Sequence, residues 1–322
     1  MRKSWLVVLS AVMISTAFAE TGDGGYAGAF LRMGVGARAK AMGDALTALP
    51  SGAASGIYNP ALLPHLKNRE VQVSFAFLPL DRNLDFVGYA QPLHAESDSS
   101  SERPISAGFA LAWIHAGVDE IDGRDFSGNR IGTFSNSEHA FVLSFAINPL
   151  PWVSVGLNGK VVYNRFPHLG RDDEAVSAQG FGLDIGAFAN PLPGLMVGAV
   201  LHDNLSKYTW NTDKVWDKGT STIDEFPKIS RFAVAYRIPQ QWLLLALDVE
   251  DSQLQNPRYH GGIELSAKEL GALRMGLDDD KLTFGLGFQV DLFGKQTRLD
   301  YAFVAGGAAP HADHIFSWAF VF

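Results

Sequence analysis

The chain contains no cysteine. Disulfides, thiolate metal centres and a lipid-modified cysteine behind an export signal are therefore all excluded. Charge is sparse too: Asp, Glu, Lys and Arg make up 19% of the 322 residues, and the formal net charge is −8. An acidic chain lacks the basic footprint that nucleic acid requires, so nucleic acid is excluded as a partner. Beyond the first twenty residues there is no apolar run of about 18 residues, which excludes a helical membrane protein. Hydrophobic residues nevertheless account for 47% of the chain. They must be dispersed in a pattern of short period.

That period is two. In the segment from Val153 to Tyr163, Val153, Val155, Leu157, Val161 and Tyr163 share one face, and Ser154, Gly156, Asn158 and Lys160 share the other. Leu282, Phe284, Leu286, Phe288 and Val290 oppose Thr283, Gly285, Gly287, Gln289 and Asp291 in the same way. The larger face carries the aromatics and the smaller face carries Gly, Ser and scattered charge. This is inside-out for a soluble sandwich and right for strands with lipid outside. Segments of about ten residues, enough for a tilted strand to cross a bilayer, begin near Glu70, Asn83, Ile105, His139, Val153, Gln179, Leu195, Ile229, Gln241, Arg258, Leu270, Lys281, Thr297 and His314. The spacing predicts an all-β fold, a transmembrane antiparallel β-barrel of about 14 strands. Turns such as Asn148-Pro149-Leu150-Pro151 and Asn190 to Gly194 alternate with longer polar loops, Ala116 to Glu138, Asn164 to Ala178 and Asn204 to Lys228. The long loops fall on the extracellular side, and the serine-rich stretch His94 to Arg103 is a periplasmic excursion.

The two ends carry address signals. Arg2 and Lys3 precede a mostly apolar stretch from Trp5 to Phe18, and Ala17-Phe18-Ala19 gives a small-x-small cleavage pattern. Residues 1–19 are read as a cleaved signal peptide, which with the barrel places the protein in the outer membrane of a Gram-negative-type bacterium. At the other end, Trp318, Phe320 and Phe322 fall on alternate positions. They resemble the terminal signature of outer-membrane barrels, and the resemblance implies recognition by the assembly machinery.

Residues 20–69 do not alternate. They are rich in small residues, with short helices expected over Ala37 to Leu49 and Pro60 to Leu66, and they cannot build a core of their own. The barrel lumen is the available cavity, so 20–69 are read as a plug and 70–322 as the barrel. The run from Gly34-Val35-Gly36-Ala37-Arg38-Ala39 to Met42-Gly43-Asp44-Ala45, the Ala-rich stretch after it and the element Asn59-Pro60-Ala61 resemble the amino-terminal plug of the PorV/PorQ family. That family is similar to the FadL-type transporters of hydrophobic compounds. One departure is Leu62, where those chains usually have glycine after the alanine. The resemblance implies fourteen strands and an apolar ligand or protein cargo.

Within the plug, Gly34 and Gly36 are expected where the backbone passes close to the wall. Arg38 is expected to pair with Asp184, Asp248 or Glu264, and Asn59-Pro60 to fix the turn that leaves the lumen. These five are the gating candidates. Inward positions of the barrel carry Lys160, Asp184, Arg231, Arg237, Asp248, Glu250, Glu264, Arg274, Asp291, Arg298 and Asp300. Their signs are interleaved, as in a network of ion pairs that fills a lumen.

Motifs for chemistry are weak. Gly34-Val35-Gly36-Ala37-Arg38-Ala39 fits a dinucleotide fingerprint, but no strand precedes it. Asp119, Asp122 and Asp125 lack the closing Glu of a calcium loop. His311 and His314 lack a third ligand, and no nucleophile motif is found. No enzyme activity, cofactor or metal is expected. Three functions stay open: passage of small hydrophobic molecules, carriage or docking of cargo in type IX protein secretion, and a purely structural barrel. The expected partners are outer-membrane lipid, the assembly machinery, and small hydrophobic molecules or secreted cargo. Deleting Phe322 is expected to leave export intact and abolish insertion, measured as loss of the heat-modifiable band from outer-membrane fractions; normal surface levels would refute the terminal signal.

Overall fold

The computed structural model describes residues 26–93, 106–169, 174–213, 219–267, 270–292, 294–306 and 311–322. The signal peptide read at 1–19, the excursion at 94–103 and the strand start at Ile105 lie outside the described residues.

Strand formation follows the alternation. Side chains of one parity meet an apolar exterior, so Phe141, Phe181, Phe232 and Leu273 all point outward and are exposed. The opposite parity is buried inside: Ser144, Asp184, Arg231 and Arg274 are covered. The strands are β1 (Glu70–Leu78), β2 (Arg82–Leu93), β3 (Ser106–Arg124), β4 (Arg130–Leu150), β5 (Val153–Phe166), β6 (Val176–Leu192), β7 (Leu195–Asn204), β8 (Lys207–Asn211), β9 (Ser221–Glu225), β10 (Ile229–Arg237), β11 (Leu243–Ser252), β12 (Arg258–Ala267), β13 (Gly271–Asp278), β14 (Lys281–Leu292), β15 (Lys295–Val304) and β16 (Asp313–Val321). Each is antiparallel to its neighbours. The ring closes through β1 on β16, in register from Glu70 opposite Val321 to Phe77 opposite His314, and through β5 on β6. Fourteen strands form the closed barrel, and β8 and β9 stand beyond it as a hairpin. Closure leaves no exposed edge, the condition for a sheet in lipid.

Two expected loops are strand instead. Ala116 to Glu138 is the paired continuation of β3 and β4, interrupted by a bulge between Val118 and Ile121. Above the bilayer both faces meet water, so hydrogen bonding continues while the apolar alternation that marks a strand disappears. The stretch from Asn204 to Lys228 holds β8 and β9 for the same reason. Here β7 and β8 form one bent arm and β9 and β10 the other. The bend has left-handed backbone at Asp203 (φ 59°) and Leu205 (φ 66°).

The segment before β1 fills the lumen as α1 (Ala37–Ala41), α2 (Ser55–Tyr58) and short 3₁₀ turns at Ala29–Arg32, Gly52–Ala54 and Pro60–His65. Only the first five residues of the helix expected over Ala37 to Leu49 are α-helical. Its backbone lies directly on the wall. Gly262 on β12 and Gly276 on β13 are register partners. A Cβ at Gly262 would come 2.5 Å from the Met42 carbonyl oxygen, and one at Gly276 would come 2.2 Å from the Gly43 nitrogen. Neither obstacle can move without moving the plug. At Gly261, next along β12, an added Cβ meets nothing within 4 Å. Gly276→Ala should therefore destabilise the barrel by about 1–3 kcal/mol through overpacking, read as a lower denaturant midpoint of the folded band. Gly261→Ala should leave that midpoint in place.

Candidate functional site

The described chain starts at the mouth of the barrel that carries the long β3–β4 hairpin, where the Tyr26 hydroxyl donates to the Leu254 carbonyl in the loop between β11 and β12 (3.3 Å). From there it descends through the lumen with little secondary structure. Its backbone donors and acceptors must find partners elsewhere, and inward side chains of the barrel supply many of them. The Ala37 amide donates to Ser317 Oγ on β16 at 2.7 Å, Gly43 to Thr283 Oγ1 on β14 at 3.2 Å, and Thr47 to Asp248 Oδ2 on β11 at 3.0 Å. The Ala53 amide donates to Glu70 on β1 at 3.1 Å. Carbonyls are met by Asn158 on β5, which donates to Gly56 at 2.8 Å, and by Ser154, which donates to Ala61 at 2.6 Å.

Charge adds a second set of ties. Arg38 on α1 donates to both oxygens of Glu264 on β12, at 2.9 and 3.2 Å, and to the Pro50 carbonyl. Glu264 is one of the three carboxylates expected for it. The other two are engaged elsewhere, Asp184 with Lys160 at 2.7 Å and Asp248 with the Thr47 amide. Lys40 reaches Asp278 at 2.7 Å and the Met33 carbonyl at 2.9 Å. Deeper in the plug, Tyr58 donates to Asp44 (2.7 Å) and accepts from the Val35 amide (2.9 Å). Arg231 on β10 approaches Asp44 at 3.5 Å and pairs closely with Glu250 on β11.

The remaining lumen charges also fall into pairs. Lys160 sits between Asp184 and Asp203 at the β7–β8 bend, and the Asp203 amide donates to Asp184 at 2.9 Å. Arg274 bridges Glu264 (2.8 Å) and Asp300 (2.7 Å), and Arg298 reaches Asp300 (2.9 Å) and Glu70 (3.3 Å). Arg237 is the outlier, 3.6 Å from Glu264. Asp291 is exposed at the far end of β14. Sequence reading missed Asp44, Glu70, Asp203 and Asp278. Glu70 and Asp278 share the inward parity of Gln72 and Arg274, so alternation alone could have found them.

Gly34 and Gly36 both have positive φ, 74° and 88°. Only Gly36 faces the wall, where a Cβ would come 3.0 Å from Gln72 on β1. Gly34 instead faces the plug itself, because the chain doubles back: a Cβ there would come 2.2 Å from Asp44 Oδ1. Asn59 does not mark the exit from the lumen. It is fully buried, caps the 3₁₀ turn that begins at Pro60, and donates to Thr47 (2.9 Å) and to Ala187 on β6 (3.0 Å). The exit comes after that turn, at Leu66 to Arg69. Trp318, Phe320 and Phe322 lie along β16 and just past it, with the first two rings 4.6 Å apart and the Phe322 amide donating to the Arg69 carbonyl (3.0 Å).

Above the plug the β8–β9 hairpin folds inward. Buried Tyr208 packs edge-on against Phe226 at 4.9 Å and donates to Glu138 on β4 at 3.1 Å. Burial first, and then the Glu138 carboxylate, pushes this phenol far above its ordinary range, so it stays protonated and donating. Beneath lie two small cavities, of about 40 and 70 Å³. Leu31, Ile57, Ile114, Val142 and Ile229 give the first its apolar wall, and Leu84, Phe86, Val304 and Ile315 do so for the second. Arg32 and Gly34 line both, so one stretch of plug divides them. At the end of β3 and in the turn after it, Asp122 is paired with Arg124 (2.7 Å) and Asp125 accepts from the Ser127 and Asn129 amides. Among the described residues no group of three or more His, Cys, Asp or Glu is placed to hold a metal ion.

No protein-family model matches the sequence, and no curated protein matches it. Solved structures do match in fold. The Ralstonia pickettii toluene transporter TbuX is similar with a TM-score of 0.58 at 13% identity, over 90% of this chain and 98% of that one. The Pseudomonas putida toluene transporter TodX gives 0.56 at 14%, over 89% and 96%. A Pseudomonas aeruginosa FadL homologue gives 0.56 at 8%, over 89% and 98%. The chain shares with them the fold of a FadL-type outer-membrane barrel.

Proposed function

We propose that this protein is a non-enzymatic outer-membrane barrel that passes small apolar molecules inward past a movable plug. The observation that carries the reading is the pair of cavities divided by Arg32 and Gly34, each with one apolar wall facing charged side chains of the lumen. A benzene-sized guest needs roughly 150 Å³, more than either cavity offers. Passage therefore requires the dividing strand of plug to shift. Glycine at 34 and 36 lowers the barrier to backbone rotation on both sides of Val35. The shift has to break the hydrogen bonds between Val35 and Tyr58, while Arg38 and Asn59 hold the segments after it. The fold shared with toluene transporters supports an apolar cargo. The signal-like pattern read at 1–19 supports delivery to the outer membrane, and the PorV/PorQ-like wording of the plug leaves carriage of secreted protein as the competing role.

Uptake of labelled toluene into proteoliposomes tests this. Ala76→Phe, which fills the second cavity beside Leu84 and Phe86, should lower uptake severalfold. Arg38→Ala, which frees the plug from Glu264, should raise it, both with heat-modifiable migration retained. Folded variants with unchanged uptake would refute gating by the plug. If surface display of an exported protein fell instead, cargo carriage would take its place.

A further inference from the structure

The mouth of the barrel at the chain's C-terminal end gathers arginines, and one of them is only loosely held. Four guanidinium groups meet there, those of Arg38, Arg237, Arg274 and Arg298, against three carboxylates, Glu264, Asp300 and Glu70, among the described residues. Glu264 is already occupied: Arg38 donates to both its oxygens and Arg274 donates at 2.8 Å. Asp300 is shared by Arg274 and Arg298, and Glu70 by Arg298 and the Ala53 amide. Arg237 comes last, with 3.6 Å to Glu264 and 30% of its side chain exposed, against 4% for Arg274. It faces a cavity of about 490 Å³ whose lining includes Gln240, Gln241, Gln289, Ser266 and Trp242.

We propose that this cavity is a binding site for a small organic carboxylate entering at that mouth, with Arg237 as its anchor. A guanidinium fork matches the two oxygens of a carboxylate. The amides and hydroxyl of Gln240, Gln289 and Ser266 can donate to the remaining lone pairs, and the Trp242 indole offers a flat wall to the organic body. The Trp242 wall selects the class, since it meets an organic body and adds nothing for a bare inorganic phosphate. This site lies across the plug from the two smaller cavities, and its occupancy does not depend on the passage of apolar molecules.

Isothermal titration of the purified full-length barrel in detergent with benzoate tests the site, with benzamide and inorganic phosphate as neutral and dianionic counterparts at matched ionic strength. Saturable benzoate binding is expected, with none for benzamide and weaker binding for phosphate. Arg237→Gln should lower benzoate affinity by at least about tenfold, the loss of one charge-assisted contact; Arg237→Lys should restore part of it. Gln289→Glu, which adds an opposing charge to the same cavity, should also abolish binding, and the exposed Arg82→Gln at the opposite end of the barrel should not. Absence of saturable benzoate binding, equal binding of benzamide, or undiminished affinity in both Arg237→Gln and Gln289→Glu would overturn the proposal. Toluene uptake is a separate readout, so failure here leaves the reading of the two smaller cavities untouched.

Discussion

Everything in the lumen follows from one constraint: an irregular backbone enclosed in a barrel has to find hydrogen-bond partners that are neither its own helix nor bulk water. An unpaired buried amide or carbonyl costs about 1–3 kcal/mol, and some forty residues of plug carry far too many of them to leave open. The barrel answers with Ser74, Ser154, Asn158, Asp248, Thr283 and Ser317 on its inner face. Several of these bond plug backbone rather than plug side chains. The inward glycines belong to the same solution, since they let the plug come within reach of those side chains.

The buried ion pairs are a different layer. Pairs such as Arg38 with Glu264 and Arg231 with Glu250 contribute little net stability against well-packed apolar residues, but removing one partner strands the other. Their value lies in position. They fix which turn of the plug faces which strand, much as register does in a sheet. The Lys160, Asp184 and Asp203 cluster instead ties barrel strands to one another at the bend, where the register of β6 on β7 shifts between Leu183 and Ile185. There an ion pair and the Asp203 amide stand in for regular ladder bonds.

How much of this is legible in the sequence depends on whether lipid is near. Strands with one face in lipid announce themselves: Glu70, Val153, Leu195, Ile229, Arg258 and Lys281 begin strands where alternation places them. Outside the bilayer the signal vanishes, and the outer halves of β3 and β4 and the whole of β8 and β9 read as loop. Inside the lumen, parity identifies inward charges such as Arg231, Arg274 and Asp300 but not their partners, because pairing depends on the path of a plug with no periodicity. Arg38 could be narrowed to three carboxylates and no further. Gly34 was misjudged for the same cause, since the fold of the plug back on itself, which brings Asp44 beside Gly34, leaves no trace in local sequence.

The ties of the plug also couple its seating to closure of the ring. The plug bonds to strands far apart around the ring, from Glu70 on β1 through Asp248 on β11 to Ser317 on β16. The seam between β1 and β16 runs over the plug, with Ser317 hydrogen-bonded both to Ser74 across the seam and to Ala37 beneath it. A seated plug therefore adds a hydrogen bond of its own to the seam on which closure of the ring depends, so plug seating and ring closure stabilise one another.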